Sequence, residues 1–414
     1  MKRQSIALVL VVSLLATIPL LGQAQSSSDP IKLDPNAQRV DFVPNVILVR
    51  FKDELPINPQ SVARLSKVGA TSVDAIFQKY QVTSVAQLFK DAKPLQQKQM
   101  LKSFNGKTFE RPSLHNIYKL NVKDPTQLFE TIDALKSDPN VIYAEPNYIY
   151  SIVDDKPVSG VLTPADVKKL ASEKTKTAFS PQSINVVTPN DPLYPQQWYI
   201  PAVHADAVWD STQGDTSQVI AFLDTGVDWH HPDLADNIWT NTSEANGIAG
   251  VDDDGDGYVD DIHGWDFIHN DNDPSDDNSH GTHVAGIACA EGNNGIGIAG
   301  INWHAKIMPI KVFQSNGRGD AATISRGINY ATMKGATVIN MSFGSYARSL
   351  TMEAALQNAL ANCVLVAAAG NDGEDINILP FFPAALSYVL GVEAGDSPPP
   401  FGFSNWDSDG PVYS

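Results

Sequence analysis

The 414 residues exceed what one ordinary hydrophobic core holds and predict two or three folding units. A net charge of −18, from 47 acidic and 29 basic side chains, excludes nucleic acid as a partner for the acidic part of the chain, because phosphates would be repelled. Only two cysteines occur, Cys289 and Cys363, both inside apolar segments; this excludes a disulfide framework and predicts two small buried hydrophobes.

The charge is unevenly divided. Residues 1–180 carry 23 Lys and Arg against 17 Asp and Glu, whereas residues 181–414 carry 6 against 30. A basic front half and an acidic back half of one precursor are expected to attract each other, although acidity that merely keeps a secreted protein soluble is an equal reading. At the start of the chain, Lys2 and Arg3 precede an apolar run from Ile6 to Leu21, and Gly22-Gln23-Ala24 follows. This pattern predicts a signal peptide over residues 1–24. Ser13, Thr17 and Pro19 interrupt the run, and no later stretch reaches the roughly 18–20 apolar residues that span a bilayer, so no stable membrane anchor is expected.

In the front half, Val46 to Phe51 reads as a strand, and Ile117 to Val122 alternates as another. Asp124-Pro125 supplies an N-cap and a proline for a helix with Leu128, Phe129, Ile132 and Leu135 on one face. Val141 to Tyr148 is a closing strand. Between Val82 and Arg111 lies an extra helical or loop stretch, rich in Lys and Gln, with no further assignment. Residues 151–186 hold scattered Ser, Thr, Lys and Pro, and read as a linker with the processing site. From 187 onward, strands at 219–223, 306–312, 337–342 and 364–369 alternate with helical stretches at 321–334 and 350–362. That is the order of a parallel sheet covered on both faces.

The residues capable of chemistry fall at the carboxyl ends of these strands, where open α/β sheets place their sites. Asp224-Thr225-Gly226 follows the first apolar strand; His280-Gly281-Thr282-His283-Val284-Ala285-Gly286 opens a helix; Ala367-Ala368-Ala369-Gly370-Asn371 ends another strand. Small residues around His280 let the helix start tightly under a strand. Its first turn disfavours imidazolium and keeps the ring available as a base. His283 is expected to pack or hydrogen-bond rather than react. An acidic insert, Asp252-Asp253-Asp254-Gly255-Asp256-Gly257-Tyr258-Val259-Asp260-Asp261, puts Asp252, Asp254, Asp256 and Asp260 at positions 1, 3, 5 and 9 of an EF-hand-like loop. Position 12 is His263 instead of Glu, which predicts weaker calcium binding or recruitment of Asp261, unless the loop is a solvated acidic surface.

The ordered Asp, His and Asn motifs resemble those of the subtilisin-like serine proteases. The resemblance implies an α/β fold, with an incomplete parallel-sheet peptidase domain over 187–414. Before it stands a small ferredoxin-like α+β propeptide over 45–150, ending in the "LKSDPNVIYAEPNY" segment, that assists folding and then inhibits. It also implies a triad containing Asp224 and His280, Asn371 as the oxyanion donor, and a secreted, monomeric endopeptidase acting on protein or peptide substrates. Gly317, Arg318 and Gly319, with Ser342, Phe343 and Gly344, correspond to two edges that bind an extended peptide between them, and Arg318 would favour an acidic side chain there. Asp191, Asp233 and Asn294, with the carbonyls of Gly292, Ile296 and Ile298, match the calcium site of thermitase-like members. The family's Gly-Thr-Ser-Met-Ala segment has no counterpart in the 43 residues after Asn371, and Ser404 sits in framework-like sequence. The expectation is therefore a precursor cut short before its nucleophile and inactive alone. A catalytically silent subtilisin-like binding domain is the alternative, followed by an aspartic protease built on Asp224.

Overall fold

A computed structural model describes residues 40–55, 57, 67–103, 106–153, 186–372, 375–376 and 378–393. The predicted signal peptide, most of the predicted linker and Ser404 lie outside them. The front unit runs β1 (Phe42–Phe51), α1 (Thr71–Lys79), β2 (Val82–Gln87), β3 (Met100–Lys102), β4 (Thr108–Glu110), β5 (Ile117–Val122), α2 (Leu128–Lys136) and β6 (Val141–Ile152). Four of its strands form an antiparallel sheet in the order β6-β1-β5-β2, and β3 with β4 makes a separate hairpin inserted between β2 and β5. Without the hairpin, this is the β-α-β-β-α-β arrangement of ferredoxin-like units.

The run Val46 to Val49 is continuously apolar because both faces of β1 are covered. Ile47, Val49 and Phe51 pack with Val73, Phe77, Leu128, Ile132 and Leu135 of the two helices, while Leu48 joins Ile117 and Tyr150 in a core shared with the back half. Asp124 does accept from the Thr126 amide at 3.0 Å, at the head of a short 3-10 turn leading into α2. Phe129 departs from the predicted apolar face. It is 54% exposed, one residue round the helix from Leu128, and its ring meets Phe42 edge-on at 5.3 Å.

In the back unit the order is β7 (Val219–Asp224), β8 (Trp265–Asp266), α3 (His280–Cys289), β9 (Lys306–Lys311), β10 (Arg318–Asp320), α4 (Ala321–Met333), β11 (Val338–Met341), β12 (Phe343–Gly344), α5 (Leu350–Ala359), β13 (Val364–Ala368) and β14 (Leu390–Val392). Its main sheet is parallel, in the order β14-β13-β11-β7-β9-β8. Ala285 and Cys289 of α3 pack with Phe222 and Ile307 on one face; Ile328 of α4 and Ala355 of α5 pack with Leu223, Ile310 and Leu365 on the other. Both cysteines are buried and free, and burial pushes their thiols up to about 12 and about 11. The chain leaves β7 to build one side of the sheet through β9 and the other through β11. Asp224 therefore ends a strand at the switch point, where a crevice opens. Among the described residues, no helix is long and apolar enough to cross a membrane.

The stretch 82–111, expected as helix or loop, instead holds the strands β2, β3 and β4, and it grips the back unit. Leu88 and Phe89 are buried in the shared core, Phe109 meets Tyr388 edge-on at 5.1 Å, and Arg111 Nε donates to Asn358 Oδ1 at 2.7 Å.

Candidate active site

Asp224 is fully buried, and its Oδ1 lies 2.7 Å from Nδ1 of His280, the first residue of α3. Glycine makes this approach possible: a Cβ on Gly281 would stand 2.0 Å from the carbonyl oxygen of Gly226 and 3.0 Å from Asp224 Cβ. Burial pushes the Asp224 carboxyl above its ordinary range, while the bond to His280 and the Thr225 amide, 2.7 Å from Oδ1, pull it back. With Nδ1–H donated to the carboxylate, Nε2 is left as the base-competent nitrogen.

Asp276 was not read from the sequence as part of the site. It accepts from Thr225 Oγ1 at 2.8 Å, from the amides of Asn278, Ser279 and Thr282, and from Thr282 Oγ1 at 2.6 Å. Desolvation works to raise its carboxyl, but these donors outweigh it and hold it below the usual range. Its position six residues before Thr282, at the head of the His280 helix, was the available signal. The carboxylate does for the first turn what Ser279, held at φ +89 with no side-chain cap, does not. Lys311, also fully buried, donates from Nζ to the Thr225 carbonyl and to Asp277 Oδ1, each at 2.5 Å.

The two predicted clamp edges, β10 and β12, stand on either side of the front unit's own β6. Arg318, Gly319 and Asp320 pair antiparallel with Ser151, Tyr150 and Ile149; Phe343 and Gly344 pair with Ile152 and Ser151. The Ile152 amide donates to Gly317 O at 3.0 Å and the Val153 amide to Ser342 O at 2.9 Å. At the end of this strand the Val153 carbonyl oxygen lies 3.2 Å from His280 Nε2, a contact in which the ring donates when it is protonated. Asn371 follows Gly370, which sits at φ +103, and lines one groove with Ile152, Val153, Gly344 and Tyr346. Tyr150 is 1% exposed, its hydroxyl donating to the Ala347 carbonyl at 2.8 Å and its ring edge-on to Phe343. The Arg318 guanidinium pairs with Asp41 of the front unit, so the acidic partner expected of a substrate is here a residue of the same chain.

Two more front-unit side chains close helix ends of the back unit. Glu145, 5% exposed, accepts from Ser349 Oγ at 2.9 Å and from the amides of Leu350 and Thr351 at 2.8 and 2.9 Å, at the start of α5. Asn147 Oδ1 accepts from the Ala322 amide at 3.0 Å, at the start of α4.

The predicted calcium residues divide into two places. Asp191 and Asp233 are both buried around the loop 291–298. Asp191 Oδ2 accepts from the Asn293 amide at 2.6 Å, and Asp233 accepts from Asn294 Nδ2 at 3.0 Å and the Ile298 amide at 2.9 Å. Asp191 Oδ1 is buried and without a hydrogen-bond partner. In the acidic insert, Asp252, Asp254 and Asp256 bring ligand atoms together, and Glu244, Asp254 and Asp261 form a second such group. Asp260 enters neither; held at φ +55, it accepts from the Gly250 amide at 2.7 Å. Glu244 was missed because it lies outside the ten-residue motif, on a separate turn. Lys334 Nζ lies 2.8, 2.6 and 2.8 Å from carboxylate oxygens of Asp254, Asp256 and Asp261. Burial and the neighbouring carboxylates Asp261 and Asp254 leave Asp256 raised to about 6 despite that ammonium.

Residues 215–412 match the subtilase family. The chain is 36% identical over 280 residues to a thermophilic serine proteinase of Bacillus sp. (strain AK1), which covers 67% of this chain and 55% of that protein. It is 36% identical over 211 residues to thermitase of Thermoactinomyces vulgaris, covering 50% of this chain and 66% of thermitase. The chain thus spans about half the length of the first of these relatives. Its fold is similar to that of fervidolysin from Fervidobacterium pennivorans, with a TM-score of 0.54 at 22% identity over 87% of this chain and 44% of that one. The parallel sheet, the buried Asp224 beside His280 and these matches agree: the chain belongs to the subtilase family.

Proposed function

We propose that the protein is a secreted serine endopeptidase precursor, in which Asp224 orients His280 and His280 serves a serine that the 414 residues do not supply. The observation that carries this reading is the strand 149–153, lying extended between β10 and β12 with its last described carbonyl at His280. Residues about 45–150 act as the inhibitory propeptide, and the bond cut in maturation is Val153–Asp154, at the front edge of the predicted linker. In the reaction, His280 Nε2 takes the proton of the attacking serine hydroxyl, Asn371 donates to the developing oxyanion, and the proton passes to the leaving amine. Water then hydrolyses the acyl-enzyme by the same route. The N-terminal pattern of residues 1–24 supports export.

Calcium fits the first acidic place: an all-oxygen donor set with one buried, unpartnered carboxylate oxygen on Asp191 suits a hard cation. Asp191, Asp233 and Asn294, with carbonyls of Gly292, Ile296 and Ile298, would hold it, and its charge would fix the 291–298 loop. The insert offers Asp252, Asp254 and Asp256 as a second place, beside the Lys334 ammonium.

The test is the N-terminal sequence of the mature protein made from the whole gene. The wild type is expected to begin at Asp154 and the His280→Ala variant to remain uncut. The 414-residue chain is expected to resist labelling by a fluorophosphonate. Cleavage of the His280→Ala protein at the same bond and rate would overturn the reading.

A further inference from the structure

The groove that receives Val153 has an aromatic ring in it. A Cβ on Gly344 would stand 2.0 Å from the Phe381 ring, and one on Gly370 would stand 3.3 Å from it. One ring thus packs against the backbone of both glycines, the first on the clamp edge that pairs with Ser151, the second just before Asn371. Phe381 is held there from both sides. The next residue, Phe382, exchanges backbone hydrogen bonds with Ser345 at 2.8 and 2.9 Å, and Tyr346 meets the Phe381 ring edge-on at 5.2 Å while its hydroxyl donates to Asp372 Oδ2. Phe381, Tyr346, Gly344, Asn371 and Val153 line the same groove.

Glycines at 344 and 370 leave room beside the backbone, and here that room is filled by the chain's own phenyl ring. The residue on the amino side of the bond presented to His280 is therefore left a shallow recess. Val153, short and branched at Cβ, is the residue found beside it. We propose that Phe381 is a specificity-determining residue, restricting that position to small aliphatic side chains such as Val or Ala and rejecting aromatic and long ones. The inference rests on the reading of strand 149–153 as the segment presented to His280, with Val153–Asp154 the bond cut.

A double-mutant cycle in the 414-residue chain tests the recess without any turnover. Val153→Phe should speed amide exchange across residues 150–153 at least tenfold and lower the melting temperature. In a Phe381→Ala background the same substitution should leave both unchanged, and Phe381→Leu should give an intermediate result and keeps the test open should the alanine variant fold poorly. Additive effects of Val153→Phe and Phe381→Ala, or a Val153→Phe chain with wild-type exchange, would overturn the proposal. The mature N-terminus separates the two readings. Cleavage after Val153 with an additive cycle removes the role of Phe381 alone, whereas a coupled cycle with cleavage elsewhere removes the processing site and leaves the recess standing.

Discussion

Replacing Glu145 by alanine asks how far the back unit depends on the front unit's side chains. The carboxylate satisfies three donors at the start of α5, the Ser349 hydroxyl and the Leu350 and Thr351 amides; Glu145, Ser349 and Thr351 are buried, while Leu350 lies at the edge of the site, 39% exposed. Ser349 keeps its own role, accepting from the Met352 amide at 3.2 Å, so the helix is not left capless. The buried Thr351 amide and the part-buried Leu350 amide nevertheless lose their acceptor, at about 1–3 kcal/mol for the first and less for the second. A total near 3 kcal/mol for the pair corresponds to roughly a hundredfold in an opening equilibrium. Amide exchange reads this directly. Leu350 and Thr351 are expected to exchange roughly a hundredfold faster in the Glu145→Ala chain, while amides inside β7 and β11 keep their wild-type rates. Exchange at Leu350 and Thr351 within threefold of wild type would refute the reasoning.

The same residue predicts a pH effect. Burial pushes the Glu145 carboxyl up, against the pull of its donors. A carboxyl whose folded pKa is raised contributes stability that is fully present below its unfolded value of about 4.3 and is lost as pH rises through the folded value. The wild type should therefore lose stability relative to Glu145→Gln as pH climbs above about 4.3. A constant difference between the two denaturation midpoints across that range would count against it.

Lys334→Met leaves Asp254, Asp256 and Asp261 without the ammonium they share and should cost about 3–5 kcal/mol in a chelator, read from urea denaturation. Calcium at a hundredfold excess over its dissociation constant would return about 2.7 kcal/mol if it binds there, and an identical calcium response in wild type and variant would argue that the insert holds no metal. Gly281→Ala puts a methyl group 2.0 Å from the Gly226 carbonyl oxygen, so α3 must back away from β7. The expected loss is about 1–3 kcal/mol, with disappearance of the downfield proton resonance of the His280–Asp224 bond; a retained resonance would mean the approach is less tight than the backbone implies.

Much of the site was legible because each part is local in sequence. Asp224 ends an apolar strand, His280 starts a small-residue helix, and the glycines that permit their contact stand beside them as Gly226 and Gly281. What escaped reading depends on distant partners. Asp276 matters through Thr225, 51 positions away. Lys334 follows the last residue of α4 with nothing beside it in sequence to mark it, yet its ammonium sits among insert carboxylates 73 to 80 positions earlier. The EF-hand spacing placed Asp260 with the ligands because a motif counts positions, whereas the backbone at φ +55 turns that carboxylate to Gly250. The hairpin β3–β4 is short, polar and half exposed, so neither period 2 nor period 3.6 marks it; its two anchoring residues, Phe109 and Arg111, find their partners more than 240 positions later.

The junction between the two units also decides what the charge asymmetry can do. Opposite net charge predicts basic front residues on acidic back residues, but the ion pair that crosses between described residues runs the other way, from Arg318 of the back unit to Asp41 of the front. The remaining junction is made of backbone pairing along β6, the carboxylate and amide at Glu145 and Asn147, and apolar contacts of Leu48, Leu88, Phe89 and Tyr150. Such contacts form at short range and fix register, because a one-residue slip of β6 would turn Tyr150 and Glu145 to the wrong face. A field from scattered surface charge acts earlier, on encounter, and is screened beyond about 10 Å at 0.1 M salt. The pairing and caps of β6, and not the net charge of the two halves, therefore set Val153, and no neighbouring residue, against His280.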